Sequence, residues 1–289
     1  MPFRAHLALV IFLPLLALGA VIAVGYVIPI PHFGREYVLR FLLPDQIEKY
    51  GLPEVLGPRD SSLPLVVIDA GHGGRDPGAV GEGIREKDVT LALATALRDE
   101  LIAQGGVRVA MTRDDDRLLS LEERPDIARR LDADLFISIH ADSAGEPSEV
   151  SGASLYTLSN RASSAAAARF ARRENDADRL NGISIEGQDA EVNAILVELS
   201  QRYSREESIE FARLITREGE GRITFLPPAL RAADLVVLRT PDMPSVLFES
   251  GFVTSADDAQ RLLSPEGRQA FANVLTSAIK AYFVRQGLD

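Results

Sequence analysis

Of the four histidines in this chain, two stand where they could do chemistry. Leu65–Gly74 (LVVIDAGHGG) runs from β-branched and aliphatic residues into a glycine turn that holds His72, and Asp134–His140 (DLFISIH) ends on its histidine. Both runs read as buried strands. In open α/β sheets ligands bind just outside the carboxyl ends of the strands, so two imidazoles far apart in sequence can converge on one edge. Glu86 opens a predicted helix on that edge, and Glu249 ends another apolar strand there. Two histidines and one glutamate with an open fourth position form a known catalytic zinc arrangement, and a further carboxylate supplies the general base that an activated water needs. Plainer readings stand beside this one. A histidine after a strand can be a hydrogen-bonded turn residue, and Glu86, between Arg85 and Lys87, can be a helix N-terminal charge favoured by the dipole. Glu249 resists such a reading, because an unpaired buried carboxylate is costly.

The elements that must position these groups alternate. Leu65–Asp69 is a strand; Lys87–Gln104 has apolar residues at helical spacing (Val89, Leu91, Leu93, Leu97, Leu101) and stops at Gly105-Gly106. Val107–Thr112 is the next strand, Ser120 with Glu123 carries a capping-box signal for a helix, and Asp134–His140 is the third strand. Ser151–Leu158, Leu235–Leu238 and Ser245–Phe248 add strand character, and Pro265–Val284 is a closing helix. The fold class is therefore α/β, a mainly parallel sheet of about six strands with helices on both faces. Residues 162–222 break the alternation. They are alanine-rich and charged, with helical runs at Asp189–Tyr203 and Arg205–Glu218, and read as a helical insertion.

Composition narrows the rest. The chain has 289 residues, 46% hydrophobic and 25% charged, enough to bury a full core. A net charge of −11 without a local basic stripe argues against nucleic acid as a partner. With no cysteines, disulfides and thiolate zinc sites are excluded, leaving His, Asp and Glu as ligands. Residues 7–30 (LALVIFLPLLALGAVIAVGYVIPI) carry no charge and are long enough for a bilayer core of roughly 30 Å. They read as an uncleaved N-terminal transmembrane anchor, with a cleaved signal peptide, cut after Ala17-Leu18-Gly19, as the rival. Residues 1–30 thus form the membrane segment, 31–62 a linker, and 63–289 the folded domain with its insertion.

Four segments in order, Val67–Gly78 (VIDAGHGGRDPG), Arg85–Asp88 (REKD), Ser138–Asp142 (SIHAD) and Pro244–Phe252 (PSVLFESGF), resemble the zinc-dependent N-acetylmuramoyl-L-alanine amidases of bacterial cell-wall remodelling. The resemblance spans about Leu65 to Phe283. It implies one Zn2+ per chain held by His72, Glu86 and His140, with Glu249 as the catalytic carboxylate. It further implies hydrolysis of the amide between N-acetylmuramic acid and L-alanine of peptidoglycan, and a location in the periplasm or cell envelope, where residues 7–30 would anchor the chain in the inner membrane unless cleaved on export.

The insertion at 162–222 resembles the helical insert of the cell-division members of this family, which covers the zinc cleft until a LytM-domain activator protein moves it. The matching stretch is Arg173–Asp178 (RENDAD), which makes Glu174 the candidate resting-state zinc ligand. Along Asp189–Arg202, Val192, Ile195, Leu196 and Leu199 form the face expected to bind the activator. A surface helix whose apolar stripe packs at home is the plainer reading. Two other functions compete: a zinc carboxypeptidase-like peptidase acting on stem peptides with the same ligands, and a cell-wall binding protein that keeps the fold without turnover.

Overall fold

A computed structural model describes residues 51–287, apart from 82, 144–149, 181–193 and 241. The expected segment at 7–30 and most of the linker lie outside the described residues. No helix among the described residues is long and apolar enough to cross a membrane.

The strands are β1 (Leu65–Ala70), the short pair β2 (Val80–Gly81) and β3 (Ile84–Arg85), β4 (Arg108–Met111), β5 (Leu135–Asp142), β6 (Ala153–Leu158), β7 (Phe225–Ala233) and β8 (Ser245–Phe252). The helices are α1 (Glu86–Gln104), α2 (Glu123–Arg130), α3 (Ala165–Asn175), α4 (Ala177–Leu180), α5 (Ala194–Gly219), α6 (Ala256–Leu263) and α7 (Pro265–Gln286). Six strands form one sheet in the order β4-β1-β5-β8-β6-β7. The first four run parallel; β6 is antiparallel to β8 and parallel to β7, so the sheet is mixed, with four of its five pairings parallel.

Alternation along each strand divides the core between the two faces. Val66, Ile68, Ile137, Ile139, Val246 and Phe248 pack under α1, α5 and α7, whose Leu93, Leu97, Phe211, Ile215, Phe271 and Leu275 are buried there. Leu65, Val67, Phe136, Leu247 and Tyr156 face the other way, against Ala128 of α2 and Ala167 and Phe170 of α3. Each fully buried leucine or phenylalanine contributes about 1.5–3 kcal/mol.

Local signals account for several boundaries. Ser120 and Glu123 exchange the capping-box hydrogen bonds, Ser120 N–H donating to Glu123 Oε2 at 2.6 Å and Glu123 N–H to Ser120 Oγ at 3.3 Å, although regular helix starts only at Glu123. α7 carries Pro265 in its first turn, and Ser264 Oγ accepts from Gly267 N–H at 3.0 Å. At the end of the expected linker, Leu56 pairs with Val109 of β4 through backbone hydrogen bonds of 2.8 and 2.9 Å.

Two expectations change. Leu235–Leu238 is not a strand: Val236–Leu238 is a single 3-10 turn whose Val237 and Leu238 are buried against the second face. The strand lies just before it, at Phe225–Ala233, and includes Pro227 and Pro228. Prolines are tolerated there because β7 is an edge strand, where a missing N–H leaves no neighbour unpaired. In addition, the described part of the expected pair of helical runs at 189–218 is one continuous helix, Ala194–Gly219.

Candidate metal centre

The carboxyl ends of β1, β5 and β8 bring the sequence-identified groups together. His72 follows β1; His140 lies near the end of β5 and Glu249 is its register partner on β8, so the side chains of His140 and Glu249 share one face of the sheet. The N-terminus of α1 places Glu86 between the two imidazoles: its Oε1 is 3.1 Å from His72 Nε2 and 3.0 Å from His140 Nδ1. The rings approach edge to face with centroids 4.9 Å apart. All four residues are buried.

Close backbone approach makes this packing possible. A Cβ on Gly71 would come within 2.5 Å of the His140 ring, and one on Gly78 within 2.6 Å of both Glu86 Oε2 and His72 Cδ2. Glu86 is fixed by more than the histidines: Ala141 N–H donates to Oε1 at 2.9 Å and Ala79 N–H to Oε2 at 2.8 Å.

Glu174, near the end of α3, reaches the same point. Its Oε2 lies 3.7 Å from His72 Nε2 and 3.5 Å from His140 Nδ1. α3 is seated by Phe170, stacked on Tyr156 at 4.4 Å, and by Arg173, which pairs with Asp142 at the end of β5. Just beyond it, Asn175 donates to Asp234 O at 2.7 Å and accepts from Val236 N–H at 2.9 Å, while Asp178 Oδ2 accepts from Leu121 N–H at 3.0 Å. Of the expected activator-binding face, Val192 lies outside the described residues; Ile195, Leu196 and Leu199 lie on α5, but their side chains are outside the description.

The electrostatics suit a cation. Burial pushes the His72 imidazole pKa down, yet the negative charge of Glu86 and the hydrogen-bonded Asp76, with Glu174 behind them, hold it well above its ordinary value. Burial raises the Glu86 carboxyl, but the two imidazoles bring it well below the usual range. Glu249 moves the opposite way: burial, then the charges of Asp142, Glu86 and Glu174, raise it well above. Asp142 is pushed up to about 6 by burial and the nearby carboxylates, against the pull of Arg173.

The residues present fit a zinc ion. Among the described residues, His72 Nε2 and Glu249 Oε2 are buried side-chain atoms that make no hydrogen bond, although Glu86 Oε1 is within 3.1 Å of the former. One donor atom each from His72, His140 and Glu174 lies within 4.8 Å of the others. Imidazole nitrogens and carboxylate oxygens of this kind are zinc donors, and a buried nitrogen turned toward carboxylates is better satisfied by a cation than by nothing.

Asp76 was not singled out as a site residue from sequence, yet its Oδ2 is 2.8 Å from His72 Nδ1. Burial raises its carboxyl, but the contact with His72 outweighs this and brings it below its ordinary value. A carboxylate behind an imidazole fixes the tautomer and frees the other nitrogen for a metal. The available signal was an acid four residues past the histidine in GHGGRD.

Residues 66–281 match the family profile described as N-acetylmuramoyl-L-alanine amidase. The chain is 34% identical over 245 residues to the N-acetylmuramoyl-L-alanine amidase AmiC of Escherichia coli O6:H1, an alignment covering 82% of this chain and 58% of that protein. It is 35% identical over 227 residues to the N-acetylmuramoyl-L-alanine amidase AmiA of Salmonella typhimurium, covering 78% of each. The solved structure of the N-acetylmuramoyl-L-alanine amidase AmiC2 of Nostoc punctiforme matches with a TM-score of 0.54 at 30% identity, covering 77% of this chain and 98% of that one. The chain therefore spans little more than half the length of the first of these relatives.

Proposed function

The chain belongs to the N-acetylmuramoyl-L-alanine amidase family, and from that premise we propose that it is a zinc-dependent hydrolase of the amide between N-acetylmuramic acid and L-alanine in peptidoglycan. The observation that carries this reading is the convergence of His72, Glu86 and His140 beside the orphaned, buried Glu249 Oε2. His72, Glu86 and His140 would hold the zinc. When bound, the ion would supply Lewis-acid polarisation of the scissile carbonyl and lower the pKa of water at the site.

The chain's own residues then handle protons and geometry. Glu249 accepts a proton from the attacking water, whose oxygen bonds to the lactyl carbonyl carbon. As the carbon–nitrogen bond breaks, the same carboxyl returns the proton to the leaving amine of L-alanine. Asp76 keeps the His72 ring in one orientation throughout. No covalent enzyme intermediate is needed.

The position of Glu174 supports an autoinhibited resting state, in which α3 lies over the centre and a LytM-domain activator displaces it through the α5 face that includes Ile195, Leu196 and Leu199. The substrate places the enzyme in the cell envelope, attached at the inner membrane through 7–30 if that segment is retained, with a role in cell separation.

Dye release from labelled sacculi tests the activity. The full chain is expected to contain close to one zinc, and chelation is expected to abolish release. Mass analysis of the products separates the readings: a free lactyl carboxylate on the sugar marks an amidase, whereas fragments cut within the stem peptide mark a carboxypeptidase-like enzyme.

A further inference from the structure

His72 has a backbone φ of 60°, in the left-handed region that a residue with a side chain rarely occupies, while the flanking Gly73 and Gly74 have φ of 132° and 60°. Glycine enters this region freely; histidine must be held there by its surroundings. The holding groups are two arginines from distant parts of the chain. Arg113 Nε donates to Ala70 O at 2.9 Å and its Nη2 to Gly71 O at 2.8 Å. Arg124 Nη1 donates to Ala70 O at 2.9 Å and its Nη2 to His72 O at 2.9 Å. Three successive carbonyls between β1 and the glycine turn are thus gripped by two buried guanidinium groups.

We propose that Arg113 and Arg124 are positioning residues that hold the His72 backbone in its left-handed conformation and so aim its Nε2 into the metal centre. The inference rests on the reading of His72 as a zinc ligand. The chemistry of each arginine favours it. Among the described residues, the hydrogen bonds of Arg113 go to carbonyl oxygens and to Thr90 Oγ1 rather than to a carboxylate. Burial and the neighbouring Arg124 push its guanidinium pKa down to about 10, which leaves it charged at neutral pH. A buried cation whose donors go mostly to backbone carbonyls, two of them in the turn that leads into His72, ties that turn to its surroundings. Arg124 is charge-compensated by Asp69 at 2.8 Å, and Asp69 is itself held by Thr112 Oγ1 and Ser138 Oγ at 2.7 Å each. The planar fork suits the task, because a guanidinium reaches two separated carbonyls from different nitrogens, whereas a lysine ammonium donates from a single point.

The test uses the full chain with Arg113→Lys, Arg124→Lys and a control, Ile279→Val, which trims the buried core on α7 and keeps both arginines, Asp69 and the three carbonyls. Two quantities are read: zinc affinity by chelator competition, and the His72 Cα chemical shift in metal-free, 13C-histidine-labelled protein. Each lysine variant is expected to bind zinc about ten- to a hundredfold more weakly and to move the His72 Cα shift. Ile279→Val is expected to lower the melting temperature while leaving both quantities at their original values. Lysine variants with unchanged affinity and an unchanged His72 shift would overturn the proposal. So would an Ile279→Val protein that loses zinc affinity in step with its stability, since that reduces the arginines to general support. If Arg124→Lys does not accumulate folded, Arg113→Lys carries the same test. If the unsubstituted chain binds no zinc, the ligand reading fails, and the metal-free His72 shift alone judges the clamp: unmoved by Arg113→Lys, it overturns the proposal.

Discussion

Asp76 Oδ2 and His72 Nδ1 are 2.8 Å apart across a turn closed by reciprocal backbone hydrogen bonds between Gly73 and Asp76. The pairing commits Nδ1 to the carboxylate and leaves Nε2 as the nitrogen facing Glu86 and Glu174. Replacing Asp76 by alanine should leave the fold intact, because the backbone bonds with Gly73 that close the turn do not involve the side chain. It should lower zinc affinity by about ten- to a hundredfold. Chelator competition together with circular dichroism checks both halves; an Asp76→Ala protein that binds zinc as tightly as the parent shows that the ring needs no such partner.

Glu249 separates proton transfer from metal binding. In Glu249→Gln the shape is kept and the proton acceptor is lost, so kcat on labelled sacculi should fall by about a hundred- to ten-thousandfold. Zinc content should stay near one per chain, because the proposed ligands are His72, Glu86 and His140. Full activity in this variant would remove Glu249 from the mechanism.

Which parts of this were legible in the residues follows from how local each signal is. Leu65–Ala70 and Glu86–Gln104 are bounded by glycine turns and carry clean apolar patterns, so reading them required no knowledge of their neighbours. Val236–Leu238 has the same apolar character as a buried strand, yet it closes on itself through Leu238 N–H to Leu235 O and Arg239 N–H to Val236 O, which apolar pattern alone does not signal. Pro227 and Pro228 hid β7, since whether proline is tolerated depends on the strand being at an edge, which is a property of the whole sheet. The reversal of β6 and β7 is equally non-local. In the site, histidines at strand ends were visible, but Arg113 and Arg124 act on His72 from some forty to fifty residues away, with no motif joining them to it.

The Asp69–Arg124 pair predicts an acid-sensitive contribution to stability. Burial raises the Asp69 carboxyl, but Arg124, Thr112 and Ser138 outweigh it and bring the pKa below its ordinary value. A carboxylate with a depressed folded-state pKa stabilises the fold above its unfolded value near pH 4, and that stability is lost as pH falls through the folded value. Asp69→Asn leaves Arg124 buried without its charge partner and should cost about 3–5 kcal/mol at pH 7. Urea melts at pH 7 and at pH 4 to 3 should show the gap between parent and variant narrowing in acid. A constant gap assigns the cost to packing instead.

Glu174 offers the sharpest test of regulation. Its carboxylate stands 3.7 Å from His72 Nε2 and 3.5 Å from His140 Nδ1, on a helix held by Arg173–Asp142 and the bonds of Asn175, with Asp178 fixing the following α4. In the metal-loaded enzyme an acid in this position would compete with substrate for the open coordination position, and each 1.4 kcal/mol favouring that state would hold the basal rate about tenfold down. Glu174→Ala removes the competing group yet leaves Phe170 stacked on Tyr156, so α3 should stay folded. Basal dye release should therefore rise, on the order of tenfold, and Arg173→Ala should act in the same direction by freeing the helix from Asp142. The two effects should not add fully, because both open one equilibrium. A Glu174→Ala enzyme with an unchanged basal rate and unchanged zinc content would show that the carboxylate only neighbours the centre, whereas a rate that falls with loss of zinc would make Glu174 a working ligand instead of an inhibitor.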